Sequence, residues 1–132
     1  MTFVRTRVGE RDPMMKVIAL VYRKPGISAE EFRRCWLETH APLMLRVVPG
    51  LLHYTQNVRT KSSGFPDDPD GISEMWFEDS DAVKDYLEWR QSPEARDLRV
   101  DEDCFQDSSR TRRYFVEEQV IKKAQQTTGL PG

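Results

Sequence analysis

Two histidines stand in this 132-residue chain, and one of them is placed for chemistry. His40 follows Trp36 by one helical turn on a stripe of Phe32, Cys35, Trp36, Thr39, His40 and Leu43, spaced by threes and fours. Pro42 comes two residues later. Its ring clashes with the Glu38 carbonyl and it donates no hydrogen bond, so the helix is predicted to kink or restart there. Such a break leaves carbonyls unpaired and can turn the imidazole toward a cavity. A histidine takes and returns a proton near neutral pH, which enolisation, ring closure or retro-aldol cleavage without a cofactor would require. The alternative role for His40 is structural: a hydrogen bond to the freed Glu38 region that locks the kink.

His53 alternates with Tyr54 along a predicted strand over residues 51–60. One face carries Leu51, His53, Thr55 and Asn57, the other Leu52, Tyr54, Gln56 and Val58. Only one of the two faces can meet a pocket. Glu74 shares a strand face with Ile72 and Trp76, where it would be a pocket acid or base, or the ion-pair partner of an arginine such as Arg113. Trp36, Trp76, Tyr86, Trp89 and Phe105 are candidates for an aromatic pocket wall, although aromatics at helical spacing commonly belong to a core. Arg110 with Asp107 reads as a loop-fixing pair first and an anion contact second. Cys35 falls in the apolar stripe and reads as a small hydrophobe, and Cys104 is too distant to make a metal-ligand spacing with it. No glycine-rich phosphate loop, nucleophile elbow, CxxC or HExxH occurs, so no metal or cofactor is expected. Haem would find an axial candidate only in His40.

These residues need elements to hold them. Residues 15–23 are β-rich and read as a strand covered on both faces, followed by a turn at Lys24-Pro25-Gly26. Ser28 and Glu31 form a capping box flanked by the Ile27 and Phe32 staple, and Pro49-Gly50 ends that helix. A loop over 61–70 precedes a strand over 72–77. Asp79 or Ser80 then caps a helix whose Val83, Tyr86, Leu87 and Arg90 share a side. Ser92-Pro93 restarts it, Leu98 and Phe105 continue the apolar side, and residues 113–121 form the last strand. Residues 1–14 read as an extension, 15–121 as one domain and 122–132 as a frayed tail.

The order β-α-β-β-α-β is the split βαβ unit of an α+β ferredoxin-like fold, an antiparallel four-stranded sheet with both helices on one face. The strands nevertheless carry large apolar groups on both faces. The uncovered face would show Ile72, Trp76 and either Tyr54 or Leu51 to water, which predicts a face-to-face homodimer. The net charge of −2, without a basic stripe, argues against nucleic-acid binding. Neither a secretory h-region nor a membrane-spanning apolar run is present, so cytoplasm is the expected location.

The segment from Phe32 to Leu43 carries F-x-x-x-W-x-x-x-H-x-P-L and resembles the signature of EthD-domain proteins of the dimeric α/β barrel superfamily. Pro49-Gly50-Leu51 leading to Tyr54-Thr55-Gln56-Asn57, the run from Asp70 to Phe77, and Ser92-Pro93-Glu94 through Phe105 to Glu118 match in the same order. The resemblance implies a small-molecule pocket in each protomer, lined by aromatics and often holding a histidine. It also implies that Tyr54 and Gln56 face inward while His53 does not. The resulting expectation is a cofactor-independent lyase, isomerase or cyclase acting on a small aromatic or polyketide-like molecule. His40 would move the proton, Tyr54, Gln56 and Glu74 would orient oxygens, and Trp36, Trp76, Tyr86 and Phe105 would wall the substrate, with His53 a further contact. A cofactor-free or haem-dependent monooxygenase, and a non-catalytic dimeric binding or accessory protein, are the alternatives.

Overall fold

A computed structural model describes residues 14–60 and 64–124. Strand β1 (Met15–Val21) is followed by helix α1 (Ala29–Arg34), a π-helical stretch (Cys35–His40) and helix α2 (Ala41–Val47). Strands β2 (His53–Val58) and β3 (Gly71–Phe77) come next. Helix α3 (Ser80–Arg90), a 3₁₀ turn (Pro93–Ala95), helix α4 (Arg96–Phe105) and strand β4 (Arg112–Glu117) complete the chain. The strands form one antiparallel sheet in the order β2-β3-β1-β4. This is the ferredoxin-like α+β arrangement that the element order predicts. The 1–14 extension lies outside the described residues except for Met14, and so does the tail from 125 onward.

Local signals account for the helix starts. Ser28 Oγ accepts from the Glu31 backbone N–H at 3.0 Å, and Asp79 Oδ1 accepts from Ala82 N–H at 2.9 Å. The α-helix restarts at Ala41, beside Pro42, one of the two outcomes that its ring chemistry predicts. The preceding turn widens, and Ala41 N–H reaches back five residues to the Trp36 carbonyl. Pro42 then sits in the first turn of α2, where a missing N–H costs nothing.

The helices cover one sheet face and bury Val17, Ala19, Val21, Ser73, Met75 and Phe77. Strand β1 is therefore not covered on both sides within the protomer, contrary to its sequence pattern: Ile18 and Leu20 are only half-buried on the open face. Ile72, Trp76 and Tyr114 share that face, whereas Tyr54 and Leu51 both pack against the core under the helices. Trp36 reaches the sheet because position 71 is glycine. A Cβ there would lie 2.4 Å from the indole ring, so the ring packs directly on strand backbone.

Candidate active site

The apolar interior is split in two. One cluster gathers Val17, Met44, Val48, Met75, Phe77, Val83, Tyr86 and Leu98; the other gathers Ala19, Val21, Phe32, Trp36 and Phe105. Between them, with walls drawn from both, lies a polar cavity of about 20 Å³. Its polar lining is His40, Tyr54, Ser73, Arg90, Glu102 and Arg113, together with Gln106. A cavity of that size holds about one water.

His40 ends the π-helical stretch with 5% of its surface exposed. Its Nδ1 lies 2.7 Å from Asp101 Oδ2 on α4, and its ring packs 5.0 Å from Phe105. The partner is thus a carboxylate on a neighbouring helix, rather than the Glu38 region of its own. In the neutral imidazole an Nδ1–H donating to Asp101 leaves Nε2 as the basic nitrogen. Packing of α4 on the π-helical stretch creates this pair, and the wide turn sets the angle at which His40 leaves the helix.

Strand β2 supplies the facing wall. Gln56 Nε2 donates to the Trp36 carbonyl and to Tyr54 Oη, both at 3.0 Å, and so ties the strand to the widened turn. Burial pushes the Tyr54 phenol up, more than the hydrogen bond from Gln56 brings it down, so Tyr54 is a neutral hydroxyl with its own proton still to donate. Arg90 Nη2 and Nη1 donate to the two oxygens of Glu102 at 2.7 and 3.2 Å, and Nη1 also meets Tyr86 Oη at 3.2 Å. Arg113 approaches Glu102 only at 4.0 Å.

The remaining candidates stand on the other side of the sheet. Glu74 pairs with Lys16 at 2.8 Å and accepts from Thr55 and Asn57. The Lys16 hydrogen bond, chiefly, holds its carboxyl below the usual range despite some burial. The expected Glu74–Arg113 pair does not form, because β-strand alternation sends the two side chains to opposite faces. His53 and Trp76 meet edge-on at 4.5 Å on that same open face, and Trp76 Nε1 donates to Glu118. Neither shares a cavity with His40. Trp36, Tyr86 and Phe105 lie under the helices as packed core: Phe32 stacks on Trp36 at 5.3 Å and on Phe105 at 5.8 Å. A cavity one water wide does not admit the aromatic ring expected between them. Arg110 stacks on Tyr22 at 4.1 Å instead of pairing with Asp107 through its side chain. Asp107 caps the loop from Ser109 N–H and Oγ.

Asp101, Glu102 and Gln106 were missed in the sequence. Glu102 carries the one usable signal, since it occupies the position between Leu98 and Phe105 where an apolar residue would continue the stripe.

The EthD domain profile matches residues 24–109. The chain belongs to the EthD-domain family. The match spans the helical run that presents His40, strands β2 and β3 and all of α4, while β1 and β4 lie outside it. No curated protein matches the chain significantly. An ethyl tert-butyl ether (EthD) family protein of Bacillus halodurans is similar at 24% identity, over 80% of this chain and 99% of that one, with a TM-score of 0.60. A dimeric protein of unknown function with a ferredoxin-like fold, from Bacteroides fragilis, is similar at 14% identity over 83% and 100%, with a TM-score of 0.58. SnoaB, a cofactor-independent oxygenase from Streptomyces nogalater, is similar at 14% identity over 89% and 99%, with a TM-score of 0.54. At these identities the likeness carries the fold of the EthD domain and not its chemistry. Among the described residues no helix is long and apolar enough to cross a membrane.

Proposed function

We propose that this EthD-domain protein is a cofactor-independent acid–base enzyme that removes and returns a proton beside a carbonyl of a small organic molecule. The observation that carries the reading is His40, buried and held by Asp101 at 2.7 Å, on the wall of a polar cavity that also presents the Tyr54 hydroxyl. Asp101 orients the ring and stabilises the imidazolium formed when Nε2 takes the proton. Tyr54 donates to the oxygen on which the enolate charge collects. Return of the proton to another atom gives an isomerase or cyclase; cleavage of the adjacent bond gives a lyase. A polyketide-like 1,3-dicarbonyl segment suits a narrow cavity better than a fused aromatic system does, because only its acidic carbon must reach His40.

Acetoacetate and its ethyl ester, each in D₂O, are the test. Proton NMR is expected to show loss of the C2–H signal faster with the protein than in buffer alone. Exchange at the buffer rate overturns the reading and leaves the non-catalytic binding protein. The likeness to the oxygenase SnoaB supports a second reading, in which the same carbanion reacts with oxygen. Oxygen consumption in step with substrate loss distinguishes it.

The protein acts as a homodimer in this reading, with the open sheet faces packed together. Ile72 and Tyr114 are 37% and 50% exposed there, and the Bacteroides fragilis neighbour is dimeric. Lys16 pairs with both Glu74 and Glu118 within the face, so none of the three stands there as a lone charge. Ile72→Lys is expected to shift the protein toward monomer in light scattering, because it places an unpaired charge in the contact. A wild-type monomer at micromolar concentration rules the shared barrel out.

A further inference from the structure

Arg113 is an unusual member of the cavity wall. It projects from β4, an edge strand, on the same face as its partner residue Ala19. Its side chain is 26% exposed, whereas those of His40, Arg90, Glu102 and Asp101 are 6%, 11%, 7% and 13% exposed. Arg113 therefore stands at the mouth, with one end in water and the rest in the wall. Its Nε is buried and has no hydrogen-bond partner among the described residues. Glu102 does not supply one, since both of its oxygens are already engaged by Arg90 and only a 4.0 Å approach to Arg113 Nη2 is left. A buried guanidinium N–H without a partner is costly to leave so.

We infer that Arg113 is the substrate-recognition residue of this cavity, and that it selects molecules carrying a carboxylate. The inference rests on the cavity being the ligand site proposed above. The planar guanidinium offers Nε–H and an adjacent Nη–H side by side, the fork that a carboxylate accepts with two parallel bonds. An amide or alcohol of the same shape offers no charge and only one acceptor oxygen to the two donors. The carboxylate supplies the partner that Nε lacks, while the cavity behind it admits only an oxygen-sized group. The body of the ligand then stays at the β4 edge.

Benzoate and benzamide, titrated into the full chain, separate the possibilities. Benzoate is expected to shift the Arg113 Nε–H resonance in ¹⁵N–¹H spectra in a saturable way, with benzamide about 10- to 100-fold weaker. Arg113→Gln is expected to weaken benzoate by a similar factor, and Arg113→Lys to recover part of it, since a lysine keeps the charge and loses the fork. Equal affinity for benzoate and benzamide, an unmoved Nε–H resonance, or unchanged benzoate binding in Arg113→Gln each overturns the inference. The wild-type resonance decides even where a variant folds poorly. Carboxylate preference in a protein that does not exchange protons leaves this inference standing and overturns the acid–base reading; proton exchange without carboxylate preference does the reverse.

Discussion

Arg90→Met is expected to lower folding stability by about 3–5 kcal/mol, the usual cost of removing one partner from a buried ion pair. Arg90 and Glu102 make two charge-assisted hydrogen bonds at 2.7 and 3.2 Å, with side chains 11% and 7% exposed. Without Arg90, the partner left to the Glu102 carboxylate among the described residues is Arg113, at 4.0 Å. The Tyr86 hydroxyl loses its donor in the same step. Urea unfolding with linear extrapolation measures the loss. A domain of this size has about 5–15 kcal/mol in hand, so the variant should be close to unfolding at physiological temperature. Arg90→Met combined with Glu102→Leu should recover most of the loss, because the stranded charge causes it and a well-packed apolar pair does not carry that charge. A single variant within about 1 kcal/mol of wild type would mean that Glu102 finds another partner or becomes hydrated.

Proton exchange should fall by about two to four orders of magnitude in His40→Ala and His40→Gln, the span general acid–base catalysis contributes. Glutamine is the sharper probe. It donates and accepts hydrogen bonds, so it can hold Asp101 and the end of the π-helical stretch, but it cannot relay a proton near neutral pH. A folded and inactive His40→Gln protein supports proton transfer. An active one makes His40 a positioning residue, and loss of stability together with activity makes it a brace between α4 and the widened turn. Asp101→Asn adds a readout that a brace would not move. The amide keeps the shape and loses the charge that stabilises the imidazolium formed on proton transfer, so exchange should slow while the unfolding curve stays unchanged.

Helix starts, strand alternation and the β-α-β-β-α-β order were legible in the chain because each is a local pattern. Ser28 with Glu31, Asp79 before Ala82, and the turn at Pro49-Gly50 each act within a few residues, and such interactions survive whatever the rest of the molecule does. The inward direction of Tyr54 and Gln56 came from the family signature and agrees with the contacts these residues make. His40 stood out as one histidine on an apolar stripe before a proline. Its partner was not legible, since Asp101 lies 61 positions away and meets it only when α4 crosses the π-helical stretch. The same holds for Arg90, Glu102 and Arg113, which converge from two helices and an edge strand. No one of them names its partner from its own place in the chain. Glu74 shows the converse: it read as a pocket acid or base, or as the partner of an arginine such as Arg113, and sheet register sets it on the open face with Lys16. The division of the core into two apolar clusters with a polar layer between them is likewise a product of packing. The chain determined which side chains face the helices, through the period of two along each strand. Only the closing of helices over sheet decided which buried charges meet, because that depends on distances no sequence separation encodes.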